Sequence, residues 1–177
     1  MTDELAADRL LHDLAEGHEQ AFAELYDRFG RRMFRAAFTM LASRHDAEDV
    51  VQEVFMGLHR ARSGLVRVNN LEGYVFAALR RAVGRRVKQL HRWRRTDMGQ
   101  STANGWHEHS VLSAQRSADL EQALQSLPPE QREVIALKVD AGLTFAEIGV
   151  SLGISPNTAA SRYRYALEKL RSALRET

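Results

Sequence analysis

Asp49, Gln52, Glu53 and Met56 recur at i, i+3, i+4 and i+7, a spacing that places them on one face of a helix. Paired carboxylates can serve acid–base chemistry or hold a metal. No glycine-rich phosphate loop accompanies this face. His107 and His109 lie in a polar stretch without further ligands nearby, and the chain has no cysteine. The residues therefore predict no catalytic group, no metal and no cofactor, and a chain that is not an enzyme. The chemistry left to an exposed acidic face is to hold a basic protein partner. An ordinary solvated helix start accounts for the same residues.

Two other groups point to nucleic acid. Between residues 60 and 95 the only acidic residue is Glu72, among many arginines and Lys88. Arg81, Arg85, Lys88, Arg92 and Arg95 follow one another at three- and four-residue steps and form a basic stripe, suited to the phosphates of a single strand. Tyr74, Phe76 and Trp93 offer aromatic surfaces nearby for stacking, although Tyr74 also fits a core position. Further along, Thr144-Phe145-Ala146-Glu147 has the form of a capping box. Gly153 supplies a left-handed turn, and Ser155-Pro156 caps and starts a second helix. Short helix, glycine turn and longer helix make a helix-turn-helix, whose second helix enters the major groove. With Ala159, Tyr163, Ala166 and Leu170 turned inward, Asn157, Ala160, Ser161, Arg164 and Tyr165 form the outer face and Arg162 its flank. Arginine can read guanine through two hydrogen bonds, and serine or asparagine can contact several base edges. Gly149 sits inside the first helix, where alanine would be about 1 kcal/mol better.

The elements that position these residues follow from apolar periodicity. The 177 residues are 44% hydrophobic and 27% charged, with only three prolines, and no convincing alternating strand occurs. The fold class is all-α. Helices are predicted over about 3–16, 19–41, 46–61 (with Asp46 as N-cap) and 71–93 (capped by Asn70), separated by a loop at 62–70. They form a first domain at 1–95. Residues 96–112 read as a flexible linker, rich in Gly, Ser, Thr, Asn and His. A second small helical domain at 113–177 carries Leu120, Ala123, Leu124 and Leu127, then Val134, Ile135, Leu137 and Val139 as core residues, and ends in the helix-turn-helix. The acidic start lacks the pattern of a signal peptide and no apolar run reaches membrane-spanning length, so a cytoplasmic location without membrane insertion is expected.

At this point two stretches resemble a known family. Residues 22–26 (FAELY) and 44–55 (RHDAEDVVQEVF) are similar to region 2 of extracytoplasmic-function (ECF) sigma factors of the sigma-70 family. Residues 127–134 (LPPEQREV), 142–148 (GLTFAEI) and 152–155 (LGIS) are similar to region 4. The resemblance implies a promoter-specificity factor for core RNA polymerase. It would place Asp49, Gln52, Glu53 and Met56 on the clamp helices of the β′ subunit. Asn69, Asn70, Arg80, Arg81, Arg85, Lys88 and Arg92 would lie at a melted −10 element, with a flipped base received by the loop. Asn157, Thr158, Ala160, Ser161, Arg162, Arg164 and Tyr165 would lie at the −35 element, with further contact to the β flap. Promoter DNA and an anti-sigma factor are the other implied partners. The chain departs from the family's pattern at Arg81 and Arg85, where relatives often carry Asn and Asp, and at Gly149, where they usually carry Ala.

Two other classes are weighed beside this one. An autonomous helix-turn-helix regulator would usually dimerise to read paired half-sites, and no evident dimerisation helix is present. A nucleic-acid enzyme would need a nucleophile or clustered metal ligands.

Overall fold

The computed structural model describes residues 2–96 and 111–175, with side chains described over 9–92 and 118–175. Helix α1 (Thr2–Glu16) is stopped by Gly17 at φ 85° and leads into α2 (Glu19–Leu41). A second break follows at Ala42, a non-glycine residue at φ 53° whose amide donates to the Phe38 carbonyl at 2.8 Å. Ser43, not Asp46, caps α3 (Arg44–Arg60). Its hydroxyl accepts from the Asp46 amide at 3.2 Å, so the cap falls three residues earlier than the acidic residue suggested.

The segment expected to be a loop contains a 3₁₀ helix at Arg62–Arg67, pinned by Leu65, which is 1% exposed. Helix α4 (Leu71–Thr96) begins where Asn70 Oδ1 accepts from the Gly73 amide at 2.8 Å, as a capping asparagine should. The linker expected over 96–112 lies almost wholly outside the described residues, as do His107 and His109.

The second module comprises α5 (Val111–Ser126), α6 (Pro129–Ile135), α7 (Phe145–Leu152) and α8 (Pro156–Ala173), and no strand occurs among the described residues. Helix α6 does not end at Ile135. It widens into a π turn over Ala136–Asp140, in which the Ala141 amide reaches back to the Ala136 carbonyl at 3.0 Å. That wider turn rotates Val139 outward, so the residue expected in the core is 54% exposed. Leu120 is likewise exposed rather than buried.

Phe29, Leu25, Met33, Val50, Val75, Phe76 and Leu79 make the centre of the first module, with Phe29 and Phe76 meeting edge to face at 6.3 Å. Phe76 is fully buried and does not serve as the stacking surface its type suggested. Tyr74 is half-buried against the same core. Trp93 has no described side chain. A smaller cluster of Ala123, Leu127, Ile135, Ala166 and Leu170 ties α5 and α6 to α8.

The larger cluster does not stop at the boundary between modules. Val134, Ala136, Leu137, Ala141, Leu143, Ile148 and Ala159 belong to it, because α6 and its π turn lie along α2 while α7 lies against α4. Each side thus completes apolar burial that its own helices leave open.

Candidate nucleic-acid interface

The helix-turn-helix is built as its sequence specifies. Thr144 Oγ1 accepts from the Glu147 amide at 3.2 Å, and Glu147 Oε2 accepts from the Thr144 amide at 2.8 Å, closing the capping box. Glu147's carboxyl is held below its ordinary value, first by the Thr144 amide and then by the Thr144 hydroxyl, with Asn70 and Lys138 adding to the effect. Gly153 adopts φ 66°, and Ser155 Oγ accepts from the Thr158 amide at 3.0 Å to start α8 behind Pro156.

Gly149 is explained by this turn. A Cβ there would lie 2.8 Å from the Ile154 carbonyl oxygen and 3.3 Å from the Pro156 nitrogen. The Gly149 carbonyl also accepts the Ile154 amide at 3.0 Å. Helix α7 and the turn therefore approach more closely than a side chain allows. The expectation that alanine would serve better there meets a steric cost that the helix alone does not contain.

Helix α8 turns Ala159, Ala166 and Leu170 inward, and Tyr163 packs on Phe145 with ring centres 5.6 Å apart. Asn157, Thr158, Arg164 and Tyr165 are exposed, while Ala160, Ser161 and Arg162 are half-buried along the edge. The Arg164 guanidinium stands 5.2 Å over the Tyr165 ring, a cation–π contact. The Thr158 hydroxyl shares a hydrogen bond with Ser155 Oγ at 2.8 Å, so it is engaged at the cap.

On α4, Arg81, Arg85, Lys88 and Arg92 are exposed, opposite the buried Val75, Leu79, Ala82 and Val83. Asn69 and Asn70 are exposed where the helix begins. The stripe is not separate from the acidic face of α3. Arg85 donates to Glu53 at 2.7 Å. Arg86, absent from the expected set, donates to Asp46 at 2.6 Å and lies 3.4 Å from Asp49. Burial by itself would raise Asp46. The Ser43 hydrogen bond and Arg86 together outweigh it and hold the carboxyl below its ordinary range.

A signal for Arg86 existed. It falls three and four residues after Val83 and Ala82, in a core register where a charge needs a partner. On the α3 face, Gln52, Glu53 and Met56 are exposed and Asp49 half-buried. Arginines of the same chain therefore already neutralise part of a face that its sequence presents as bare.

Two members of the α4 set reach the other module. Arg80 Nε donates to Glu133 at 2.8 Å, and Asn70 Nδ2 donates to Glu147 at 3.1 Å. Among the described residues no group of three or more His, Cys, Asp or Glu is arranged to hold a metal. No described helix is long and apolar enough to cross a membrane.

The geometry defines a two-module helical protein that presents a basic helix and a helix-turn-helix. Comparison with known proteins places it further. The model of Sigma-70 region 2 matches residues 25–94, and that of Sigma-70, region 4 matches residues 117–170. ECF RNA polymerase sigma factor SigK of Mycobacterium ulcerans is 30% identical over 179 residues, spanning 98% of this chain and 95% of that protein. SigE of Mycolicibacterium smegmatis, also an ECF RNA polymerase sigma factor, is 31% identical over 160 residues. That match covers 85% of this chain and 60% of the length of SigE. The structure of CnrH in complex with the cytosolic domain of CnrY shares the fold, with a TM-score of 0.74 at 23% identity, covering 97% of this chain and 98% of CnrH.

The chain belongs to the ECF RNA polymerase sigma factors of the sigma-70 family. Its role is accordingly promoter-specific transcription initiation, a regulatory task.

Proposed function

We propose that this chain binds core RNA polymerase, recognises the −35 element through α8 and the −10 element through the start and basic stripe of α4, and assists strand opening there. The observation that carries the reading is the outer face of α8. Asn157, Arg164 and Tyr165 project from a helix whose start is fixed by the left-handed Gly153 and by Ser155-Pro156, behind a helix α7 that is itself closed by a complete capping box. A recognition helix needs that fixed start, because its N-terminal turns carry the base contacts. Arg81, Arg85, Lys88 and Arg92 supply phosphate contacts, and Asn69 and Asn70 line the entrance where a flipped base would sit.

The face of α3 holding Asp49, Gln52, Glu53 and Met56 is assigned to the β′ clamp helices, and the second module also meets the β flap. The chain works in the cytoplasm, where the polymerase is. An anti-sigma factor is the further partner, for which the sigma factor RpoE of Bartonella quintana in complex with the anti-sigma factor NepR is a precedent on this fold.

Run-off transcription with core polymerase and genomic DNA fragments tests the reading. Promoter-dependent transcripts are expected. A purified, folded chain that neither binds core polymerase nor directs transcription refutes it. Asp49→Lys with Glu53→Lys should weaken holoenzyme formation, and normal assembly by that variant would remove the α3 face from the polymerase contact.

A further inference from the structure

We infer that Gly84 is a docking point for the sugar–phosphate backbone of the opened strand: a dent in α4, bordered by cations, where a phosphate comes closer to the helix than a side chain would permit. This deepens the reading of α4 given above and rests on it.

Gly84 stands in the interior of α4 and is exposed. Glycine is a poor choice for such a position, because alanine loses less backbone freedom on folding. Nothing in the fold accounts for it. A Cβ at Gly84 would meet nothing within 4 Å, and the residue lacks the left-handed backbone seen at Gly17, Gly142 and Gly153. At Gly149 a neighbouring turn fills the space that the missing side chain leaves; at Gly84 that space is open. The close approach it allows is therefore offered to something outside the chain.

The surroundings give the chemistry of that occupant. Arg80, Arg81 and Lys88 lie three or four residues away, the positions that adjoin residue 84 on a helix surface, and Arg85 follows it directly. Arg81, Arg85 and Lys88 are exposed, and Arg81 and Lys88 have no ion pair among the described residues. Arg85 shares its charge with Glu53, and Arg80 with Glu133. Gly57 on α3 is equally open, but its neighbours at the same spacing include one carboxylate, Glu53, and one guanidinium, Arg60. Of these two helix glycines, Gly84 is the one whose surroundings attract an anion.

A strand fits better than an acidic protein segment. The cations continue along α4 from Arg81 to Arg92, about 16 Å at the helical rise, a track suited to the repeating charge of a polynucleotide. No described aromatic residue of α4 is exposed, since Phe76 is buried and Tyr74 half-buried against the core. With no ring to stack on, the contact falls on the strand's backbone and not on its bases. The missing side chain lets one phosphate settle among these donors, where charge-assisted hydrogen bonds are short and strong.

The test uses the full chain and a fluorescein-labelled single-stranded DNA of mixed sequence, titrated at low salt and read by anisotropy. A backbone contact needs no particular sequence, so the test does not depend on the promoter. Failure of the parent in run-off transcription would refute the promoter reading and leave strand affinity to decide Gly84. Gly84→Ala and Gly84→Leu should both raise the urea midpoint, because the helix gains and the added atoms strike nothing in the fold. Both should weaken strand binding, the leucine variant about tenfold or more, as losing one charge-assisted hydrogen bond would. Gly57→Ala should raise the midpoint likewise and leave strand affinity unchanged.

Full strand affinity in the leucine variant overturns the proposal, as does an equal loss in Gly57→Ala. A lower midpoint in both Gly84 variants would show that the fold itself needs the glycine, and overturns it too. An equal loss on a duplex of the same sequence would give the dent to duplex phosphates. Loss of polyglutamate binding with strand binding intact would give it to an acidic protein. Either result refutes the assignment to an opened strand.

Discussion

Replacing Gly149 with alanine opposes two effects whose magnitudes can be worked from the structure. In an exposed helix interior the change would stabilise by about 1 kcal/mol, because glycine loses more backbone freedom on folding. Here the added Cβ meets the Ile154 carbonyl oxygen at 2.8 Å, closer than real Cβ contacts come, and the Pro156 nitrogen at 3.3 Å. Both neighbours are backbone, so neither can swing away as a side-chain tip would. Overpacking of this kind costs about 1–3 kcal/mol. The net expectation is destabilisation by about 0–2 kcal/mol, the difference between those two effects.

The strain falls on the turn that sets α8 against α7, because the Gly149 carbonyl receives the Ile154 amide. Discrimination at the −35 element should therefore fall beyond what the stability loss explains. Urea unfolding followed by far-UV circular dichroism, with the midpoint and slope compared, reads the first effect. Competition binding of holoenzyme to matched and mismatched −35 duplexes reads the second. An alanine variant about 1 kcal/mol more stable than the parent, with promoter preference intact, would show that the turn yields freely and that the close-approach argument is wrong.

Three further outcomes are expected. Thr144→Ala removes the hydroxyl that accepts the Glu147 amide and should cost about 1 kcal/mol in the same unfolding assay, whereas an unchanged midpoint would mean the box contributes nothing. Glu147 and Asp46 both hold their protons less tightly folded than unfolded. The stability they confer is therefore present above about pH 4.5, the ordinary value for Glu147, and is lost as pH falls below it. Glu147→Gln should flatten that acid limb in a pH series of unfolding curves, and an identical acid limb in both proteins would contradict the assignment. Arg164→Ala should cost about 1–3 kcal/mol of discrimination if the guanidinium reads a base edge, and an unaltered −35 preference would take it off the recognition face.

The local devices were legible because each is completed within a few residues. The Thr144/Glu147 box, Gly153, Ser155-Pro156 and the Asn70 cap are interactions between positions at most four apart, so residue type and spacing settle them. The outer and inner faces of α4 and α8 follow from a repeat of 3.6 residues, which any amphipathic helix imposes. Even local reading misplaced the start of α3, since Ser43 and Asp46 are both good caps and only the backbone turn after Ala42 chooses between them.

Contacts made across sequence separation were a different matter. Phe76 has the type of a stacking aromatic, but Phe29 and the packing of α2 on α4 put it in the core. Gly149 looks wasteful in its own helix and lets the turn that folds back on it approach closely. The acidic face of α3 reads as bare until α4 brings Arg85 and Arg86 alongside. The pairing of Asp140 with Thr39 and of Glu133 with Arg80 joins residues 101 and 53 positions apart. By itself the sequence determined an all-helical chain, its caps and the faces of its recognition helices, because those depend on neighbours along the backbone. Which charges are neutralised, and that the two modules close on each other, was decided only when helices met, because Coulomb attraction and apolar burial act on distance in space and not along the chain.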